Sequence, residues 1–349
     1  MEIFLDNNLD GIKPEDWTEL ADNSPSRTVF QTYAWHKAWL EIFGNDQPVY
    51  IVRLMEGGRL TGVAPLMVTR KGKWRILKFI GQGHSDYCDF LYPSDKPEIL
   101  MALLEGVNSR RDQWDAMALD GIAQDSPTAV KLPVFCRQRG LFANLYSRQV
   151  CPRINLIKDK EYLPNLMQKK SFQRDYRQLM KQGVYQSKQI AQTDEILNHL
   201  EDFFNQHILR RQGKLAGSLF QLEKNRLFYR ALAGSMDGLN VLLMTVITIN
   251  QKAVAYHFGF VDGKTLIFYK PSFDIQLSKY SPGDALLMEL FRYCQENNLE
   301  VFDFSAGEER YKARYANEAK NIVSFKVFKT PAQQLLSRSL DLFKGLRKS

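Results

Sequence analysis

The sequence predicts an α/β protein of the α+β kind, built as two similar units in tandem with mixed, largely antiparallel sheets. Three observations carry this prediction. Two stretches alternate apolar and polar residues around tight-turn signals, each is followed by a helix and then a further strand, and the two sets keep a constant spacing. At 349 residues the chain is roughly twice the length of a common domain, so two units fit it.

The first unit spans 1–150. Its residues 48–68, PVYIVRLMEGGRLTGVAPLMV, hold Gly57-Gly58 between two apolar runs, which reads as a β-hairpin. Pro97 to Trp114 follows as a helix, and DAMALDG at 115–121 as a strand. The boundary falls near Cys151-Pro152, and the second unit spans 151–330. It opens with two helical stretches, Tyr162 to Gln182 and Thr193 to Gln212. Residues 239–269, LNVLLMTVITINQKAVAYHFGFVDGKTLIFY, then give three β-rich runs with turns at Asn250-Gln251 and Asp262-Gly263. Gly283 to Glu300 reads as a helix and VFDFSAG at 301–307 as its strand. The two helix–strand blocks align without a gap at an offset of 186, sharing pattern more than identities, which points to a structural duplication. Residues 331–349 open with Pro331 and space Leu335, Leu336, Leu340, Phe343 and Leu346 at helical intervals. Such an amphipathic helix docks on its own protein or makes peripheral contact with a membrane surface.

Composition narrows the class. With 44% hydrophobic and 25% charged residues the chain is an ordinary globular protein, which excludes collagenous, low-complexity and wholly disordered readings. No apolar run reaches the length of a membrane span, and the start MEIFLDNNLDGIKPEDW lacks the basic-then-apolar order of a secretory signal, so a cytoplasmic location is expected. Cys88, Cys136, Cys151 and Cys294 show neither CxxC pairs nor metal-ligand spacing, so neither a disulfide scaffold nor a metal site is expected. Residues 1–150 hold 17 Lys and Arg against 19 Asp and Glu, whereas the remainder holds 30 against 20. A basic second half suits phosphates on a cofactor, a nucleic acid or a lipid surface. No DNA partner is expected, because helix-turn-helix, zinc-finger and RNP signatures are missing from the sequence.

Several residues stand out on their own chemistry. Ser281-Pro282-Gly283-Asp284 is a helix start: Ser281 suits the cap, Pro282 the first turn and Asp284 a capping box, and the free amides make an anion pocket. Lys170, Arg174, Arg177 and Lys181 fall on one face of a helix with Phe172, Tyr176 and Leu179 opposite; this is either a solvated face or a phosphate-binding one. Arg210, Arg211 and Lys214 add a second basic cluster beside His207, and Arg211 and His207 join the substrate-binding candidates. His257 shares a strand face with the small residues Ala255 and Gly259, as a hydrogen-bonded core histidine or as a general base. Asp303 and Ser305 share one face of VFDFS. Lys312 has no apolar helix face to explain it. Asp86 and Tyr87 follow a glycine turn in the first unit, where they would line an acceptor cleft between the units.

The order of hairpin strands, a loop at a helix start and one more strand resembles the GNAT acyltransferase core. More specifically, the chain resembles CelD-like acetyltransferases associated with exopolysaccharide and cellulose synthesis, relatives of the FemAB peptidyltransferases. The resemblance rests on FQTYAWHKAW (30–39), GVAPLMV (62–68) and IGQGHSDYCDFLYP (80–93), then on FFNQHILRRQGK (203–214), YSPGDALLMEL (280–290) and VFDFSAGEERYKARYAN (301–317). It implies tandem GNAT-like units with the acyl donor, acetyl-CoA or another acyl-CoA, on the second. The thioester would lie where two strands part, with a backbone amide on its carbonyl and the pyrophosphate at the helix start. That places Tyr269, Tyr280, Ser281, Gly283, Asp284 and Ala285 around the donor. Gly283 and Ala285 fit the last two positions of the family's pyrophosphate pattern, whereas Tyr280 stands where Gln or Arg is usual. The resemblance further implies catalytic roles for Tyr311 and Lys312, with Asp303 and His257 as their companions. The expected activity is acyl transfer to an amine or hydroxyl, on a sugar or glycolipid precursor of polysaccharide. The alternatives are a Fem-like transferase drawing on aminoacyl-tRNA and a catalytically degenerate partner-binding protein.

Overall fold

In the computed structural model the described residues are 1–213, 217–307 and 309–339, and they divide into two compact units. One comprises Met1–Val150 together with Lys320–Ser349, the other Cys151–Ala319. Chain order in the first half is β1 (Glu2–Asp6), α1 (Pro14–Asp22), α2 (Tyr33–Phe43), β2 (Val49–Glu56), β3 (Arg59–Lys71), β4 (Trp74–Phe79), α3 (Glu98–Ser109), β5 (Ala116–Ala123), α4 (Pro127–Gln138) and β6 (Phe142–Asn155). Next come α5 (Tyr162–Gln168), α6 (Lys170–Met180), β7 (Tyr185–Ile190), α7 (Thr193–Arg211), α8 (Glu223–Ser235), β8 (Leu242–Ile249), β9 (Lys252–Asp262), β10 (Thr265–Phe273), α9 (Pro282–Glu296), β11 (Val301–Asp303) and α10 (Arg310–Tyr315). The described chain closes with β12 (Glu318–Phe328) and α11 (Pro331–Ser339).

The first unit orders its strands β1-β2-β3-β4-β5-β12 and also holds β6 as far as Val150, and the second runs from the end of β6 at Arg153–Asn155 through β11-β10-β9-β8-β7. Each sheet is antiparallel except for one parallel pair, β4 with β5 and β10 with β11. The sixth strand is exchanged in sequence. β6 follows β5 in the chain, yet its end at Arg153–Asn155 pairs with β11, while β12 follows the second unit's helices and pairs with β5 from Ala116 to Ala123. Residues 320–330, assigned by sequence to the second unit, are therefore counted with the first.

Each unit buries one face of its sheet under the helix that follows the meander. Leu100, Leu103, Leu104 and Val107 of α3 recur at helical spacing and meet Val52, Leu54, Leu66, Leu77 and Leu119 in one core. Leu286, Leu287, Leu290 and Phe291 of α9 do the same against Leu243, Ile247, Leu266 and Phe302. On the other face of the second sheet lies an aromatic cluster: Tyr229 packs edge-on against Phe204 and Phe220, whose rings are tilted to each other, and meets Phe258 at 5.2 Å. These cores hold the two parallel pairs in place, which is what positions the site.

The helix expected over 162–182 is broken in two. Lys169, at φ −55° and ψ 128°, leaves the helical region and starts α6 afresh, so that Leu163 and Leu166 bury with α5 and Phe172, Tyr176 and Leu179 with α6. The turn after β9 is Gly263-Lys264, one residue later than expected, because Asp262 still pairs with Thr265. Of the amphipathic segment 331–349, only α11 is described; Lys214, Leu340, Phe343 and Leu346 lie outside the described residues.

Candidate active site

The second unit's parallel pair opens like a fork. β10 and β11 pair at Thr265–Val301, Leu266–Phe302 and Ile267–Asp303 and no further. β10 runs on to Phe273, while Phe304 turns its amide to the Pro152 carbonyl of β6 at 3.0 Å. The first unit has the same opening after Ile76–Ala116 and Leu77–Met117, but there the chain itself fills it, with the Cys88 amide on the Gly121 carbonyl at 3.0 Å. Asp86 and Tyr87 belong to that filling segment. Tyr87 is buried with the Lys320 ammonium 5.1 Å from its ring centre, and Asp86 is half-buried.

A bulge in β10 sits at the fork. Its register with β9 shifts between Ile267 and Lys270, and the His257 imidazole fills the irregularity. The Tyr269 amide meets His257 Nε2 at 3.3 Å, and the ring lies flat on Phe268 with centroids 5.0 Å apart. Gly259 makes room, since a Cβ there would collide with the imidazole and the Ile267 carbonyl. His257 is 0% exposed, and burial pushes its pKa down to about 3 against the pull of the Ile267 backbone, so the ring is neutral. This is the geometry of the core histidine rather than of a base open to an acceptor. The Tyr269 amide is therefore spent on the imidazole. Tyr269 is buried, with its hydroxyl 3.1 Å from that of Tyr229.

His36 of the first unit is likewise buried, and desolvation lowers its pKa to about 4. Both rings are neutral in the folded state and protonate on unfolding. Their contribution to stability is complete above the unfolded pKa near 6.5 and is lost as pH falls toward 4 and 3. At about pH 4.5 each is expected to have cost about 2.6 kcal/mol. The check is the pH slope of unfolding free energy, which should drop by about one proton in His257→Gln. An unchanged slope would show that the ring is charged when folded.

The start of α9 lies beside the far end of β10. A Cβ on Gly283 would stand 3.7 Å from the Phe273 ring, an ordinary contact. Ser281 is the N-cap, but in the left-handed region at φ 54° and without a side-chain cap bond. The capping box expected from Asp284 does not form. Its carboxylate instead accepts from the Tyr315 hydroxyl at 2.9 Å, and burial raises its pKa while that bond pulls it down. The Asp284 and Ala285 amides close on the Ser281 carbonyl at 3.0 and 3.2 Å. The Gly283 amide, in the first turn, has no intrahelical acceptor, so the helix start retains a donor for an anion. Tyr280 ends the preceding 3₁₀ turn, half-buried, with the Lys279 ammonium 4.9 Å from its ring centre.

Beyond β11 the chain folds around Lys312. This lysine is buried, and its Nζ donates to the Ala306 carbonyl at 3.0 Å and pairs with Glu309 at 2.9 Å. Burial works against the Glu309 carboxylate, but the ammonium beside it prevails and holds its pKa below the usual value. Gly307, at φ 143°, is required here: a Cβ would collide with both charged groups. Asp303 caps the turn by accepting the Ser305 amide at 2.7 Å. Tyr311 meets Phe304 edge-on at 6.4 Å and is 36% exposed as a residue, while burial of its hydroxyl, reinforced by Glu309, pushes its pKa up. Arg210 lies 4.9 Å from the Phe273 ring centre, desolvated enough to lower its pKa, and its Nε has no hydrogen-bond partner among the described residues.

The remaining candidates lie apart from the fork. Lys170, Arg174 and Arg177 are exposed on α6, with Arg174 paired to Asp175. His207 is buried with Nδ1 2.8 Å from the Ser218 hydroxyl, and Arg211 Nε donates to the Gly217 carbonyl. Both tie α7 to the segment that follows it. Sequence reasoning passed over Glu289, a carboxylate within the apolar run of α9. It accepts from Tyr176 at 2.7 Å, Tyr185 at 2.8 Å, Ser187 at 2.9 Å and Arg292 at 3.2 Å. A lone charge inside ALLMELF was the available signal. Among the described residues no group of His, Cys, Asp or Glu gathers as a metal site, and no helix is long and apolar enough to cross a membrane.

The site thus joins a parallel strand pair that opens and a helix start with a free amide. Residues 167–313 match the family model described as an acetyltransferase (GNAT) domain. The whole fold is similar to solved tandem structures. FemX is 11% identical, with a TM-score of 0.66 over 96% of this chain and 100% of that one. L-PGS from Bacillus licheniformis is 11% identical, with a TM-score of 0.57 over 96% of each chain. A tandem GNAT protein from the clavulanic acid biosynthesis pathway is 11% identical, with a TM-score of 0.52 over 95% and 99%. No curated protein sequence matches the chain.

Proposed function

We propose that the protein transfers an acyl group from a coenzyme A thioester to an amine or hydroxyl, on a sugar or glycolipid precursor of polysaccharide. The observation that carries the reading is the fork between β10 and β11, which opens after three residue pairs next to the start of α9. The residues present suit such a donor. Gly283 retains its amide for a phosphate, and the Asp284 carboxylate, which would repel one, is held by Tyr315. In attack on the thioester carbonyl, positioning by the fork supplies much of the rate. With the bulge amide committed to His257, oxyanion stabilisation falls to the Lys312 ammonium, and Tyr311 protonates the leaving thiolate.

The committed bulge amide and the exposed basic face of α6 also favour a second reading, transfer from aminoacyl-tRNA. Calorimetric titration separates them. Saturable binding of acetyl-CoA, lost in Gly283→Trp because the indole occupies the space beside Phe273, supports the first. Binding of aminoacyl-tRNA with no heat from acetyl-CoA, free CoA or longer acyl-CoAs would move the assignment to the second.

A further inference from the structure

The first unit leaves one edge of its sheet open and apolar. Among the described residues β1 ends the strand order, its register with β2 runs unbroken from Glu2–Met55 to Asp6–Ile51, and it carries none of the prolines, lysines or bulges that blunt an edge. Ile3 and Leu5 stand opposite Leu54 and Val52, on the face that α3 covers, yet they are 51% and 39% exposed. Met1 is exposed as well. Beside them a groove runs between β1 and α3, floored by Val52 and walled by Gly106, Ser109 and Arg110. Gly106 lets the helix lie this close to the sheet, since a Cβ there would meet Val52 at 2.6 Å and Ile3 at 3.3 Å. Glu2 and Phe4 take the opposite face, where the Arg53 guanidinium lies 4.6 Å from the Phe4 ring centre. Asp6 engages Nε and Nη2 of Arg53 at 2.8 and 3.2 Å, which leaves Nη1 for another carboxylate.

We propose that this edge is where two copies of the chain meet, β1 lying antiparallel to the partner's β1 about a twofold axis through Ile3. Registers that keep the apolar faces on one side centre on a residue paired with its own copy, and charge chooses among them. Centring on Phe4 sets Glu2 directly opposite the partner's Asp6 at both ends, and centring on Glu2 sets carboxylate on carboxylate. Centring on Leu5 leaves Ile3 without a neighbour. Centring on Ile3 builds an apolar ladder in which Leu5 stands opposite the partner's Met1, whose flexible thioether suits the groove. It also sets Glu2 against the partner's Phe4, so that the carboxylate reaches across that ring to the partner's Arg53. Self-pairing satisfies the free backbone groups of β1 and covers its apolar side chains together. The surface stands in the first unit, outside the segment that the family model matches, and does not depend on the donor assignment.

The test is sedimentation equilibrium of the full chain. The contact is small beside the roughly 20–30 residues a side of a standard interface, so half-association is expected at about 100 μM. Ile3→Lys sets two ammonium groups together on the axis and should weaken association by about tenfold or more, and Glu2→Arg should weaken it by repelling Arg53. Both side chains are exposed, so the thermal midpoint of the dilute chain should stay where it is. The native cysteines are buried, so a thiol introduced on β1 reports the register. With diamide as oxidant, Ile3→Cys should form an intermolecular disulfide faster than Phe4→Cys. Faster crosslinking of Phe4→Cys, or a dimer that survives Ile3→Lys, would overturn the proposal. So would a chain that stays monomeric at several times that concentration, which would leave the edge to a strand of a different protein.

Discussion

Lys312→Met is expected to lower turnover by about 100-fold or more, the usual cost of removing an oxyanion-stabilising donor, with little change in donor affinity. The expectation follows from the charge geometry. Lys312 is held by Ala306 and Glu309 at a bend that Gly307 alone allows, so the ammonium is fixed before substrate arrives. Methionine keeps the buried stem and leaves Glu309, which is 55% exposed as a side chain, free to hydrate. Stability should therefore move far less than rate. Steady-state kinetics with thermal unfolding on the same samples decide the matter, and full turnover in the variant would remove Lys312 from the mechanism.

The largest effect on stability is expected at Glu289. Replacing it with alanine should destabilise the second unit by about 3–5 kcal/mol, because Arg292 loses its counter-charge and the Tyr176, Tyr185 and Ser187 hydroxyls lose a shared acceptor. Burial, reinforced by the carboxylate, already holds the Tyr185 pKa well above the ordinary phenol value, so that hydroxyl is a committed donor. The carboxylate joins α6, β7 and α9, and the last of these begins at Pro282 beside β10. Glu289→Gln should cost less, since it keeps an acceptor oxygen. Denaturant unfolding followed by tyrosine fluorescence measures both, and equal losses for Ala and Gln would argue for packing rather than for the shared acceptor.

Elements with a strong period were legible in the sequence. The hairpin at Gly57-Gly58, the three-strand meander and the helices α3 and α9 announce themselves through alternation, turn residues and spacing of leucines. β1, five residues with Ile3, Phe4 and Leu5 in an unbroken apolar run, and β7, short and mostly polar, gave no such signal, and β12 alternates but carries nothing to say which unit it joins. At the site, the helix start was readable because Ser-Pro-Gly is local chemistry, whereas the partner of Asp284 was not, since Tyr315 lies 31 residues away in sequence. His257 illustrates the same limit. Its small neighbours were visible on the strand, but the bulge it fills belongs to the adjoining strand and exists only once the two are paired.

The exchange of β6 and β12 constrains how the polypeptide matures. During synthesis the N-terminal sheet must wait, its β5 flank unsatisfied, until more than 160 further residues have emerged, because β12 begins at Glu318 whereas β6 ends at Asn155. A ribosome-bound nascent chain halted before that strand would present an open hydrogen-bonding edge, the kind of surface that holdase chaperones shield and that recruits like strands into aggregates.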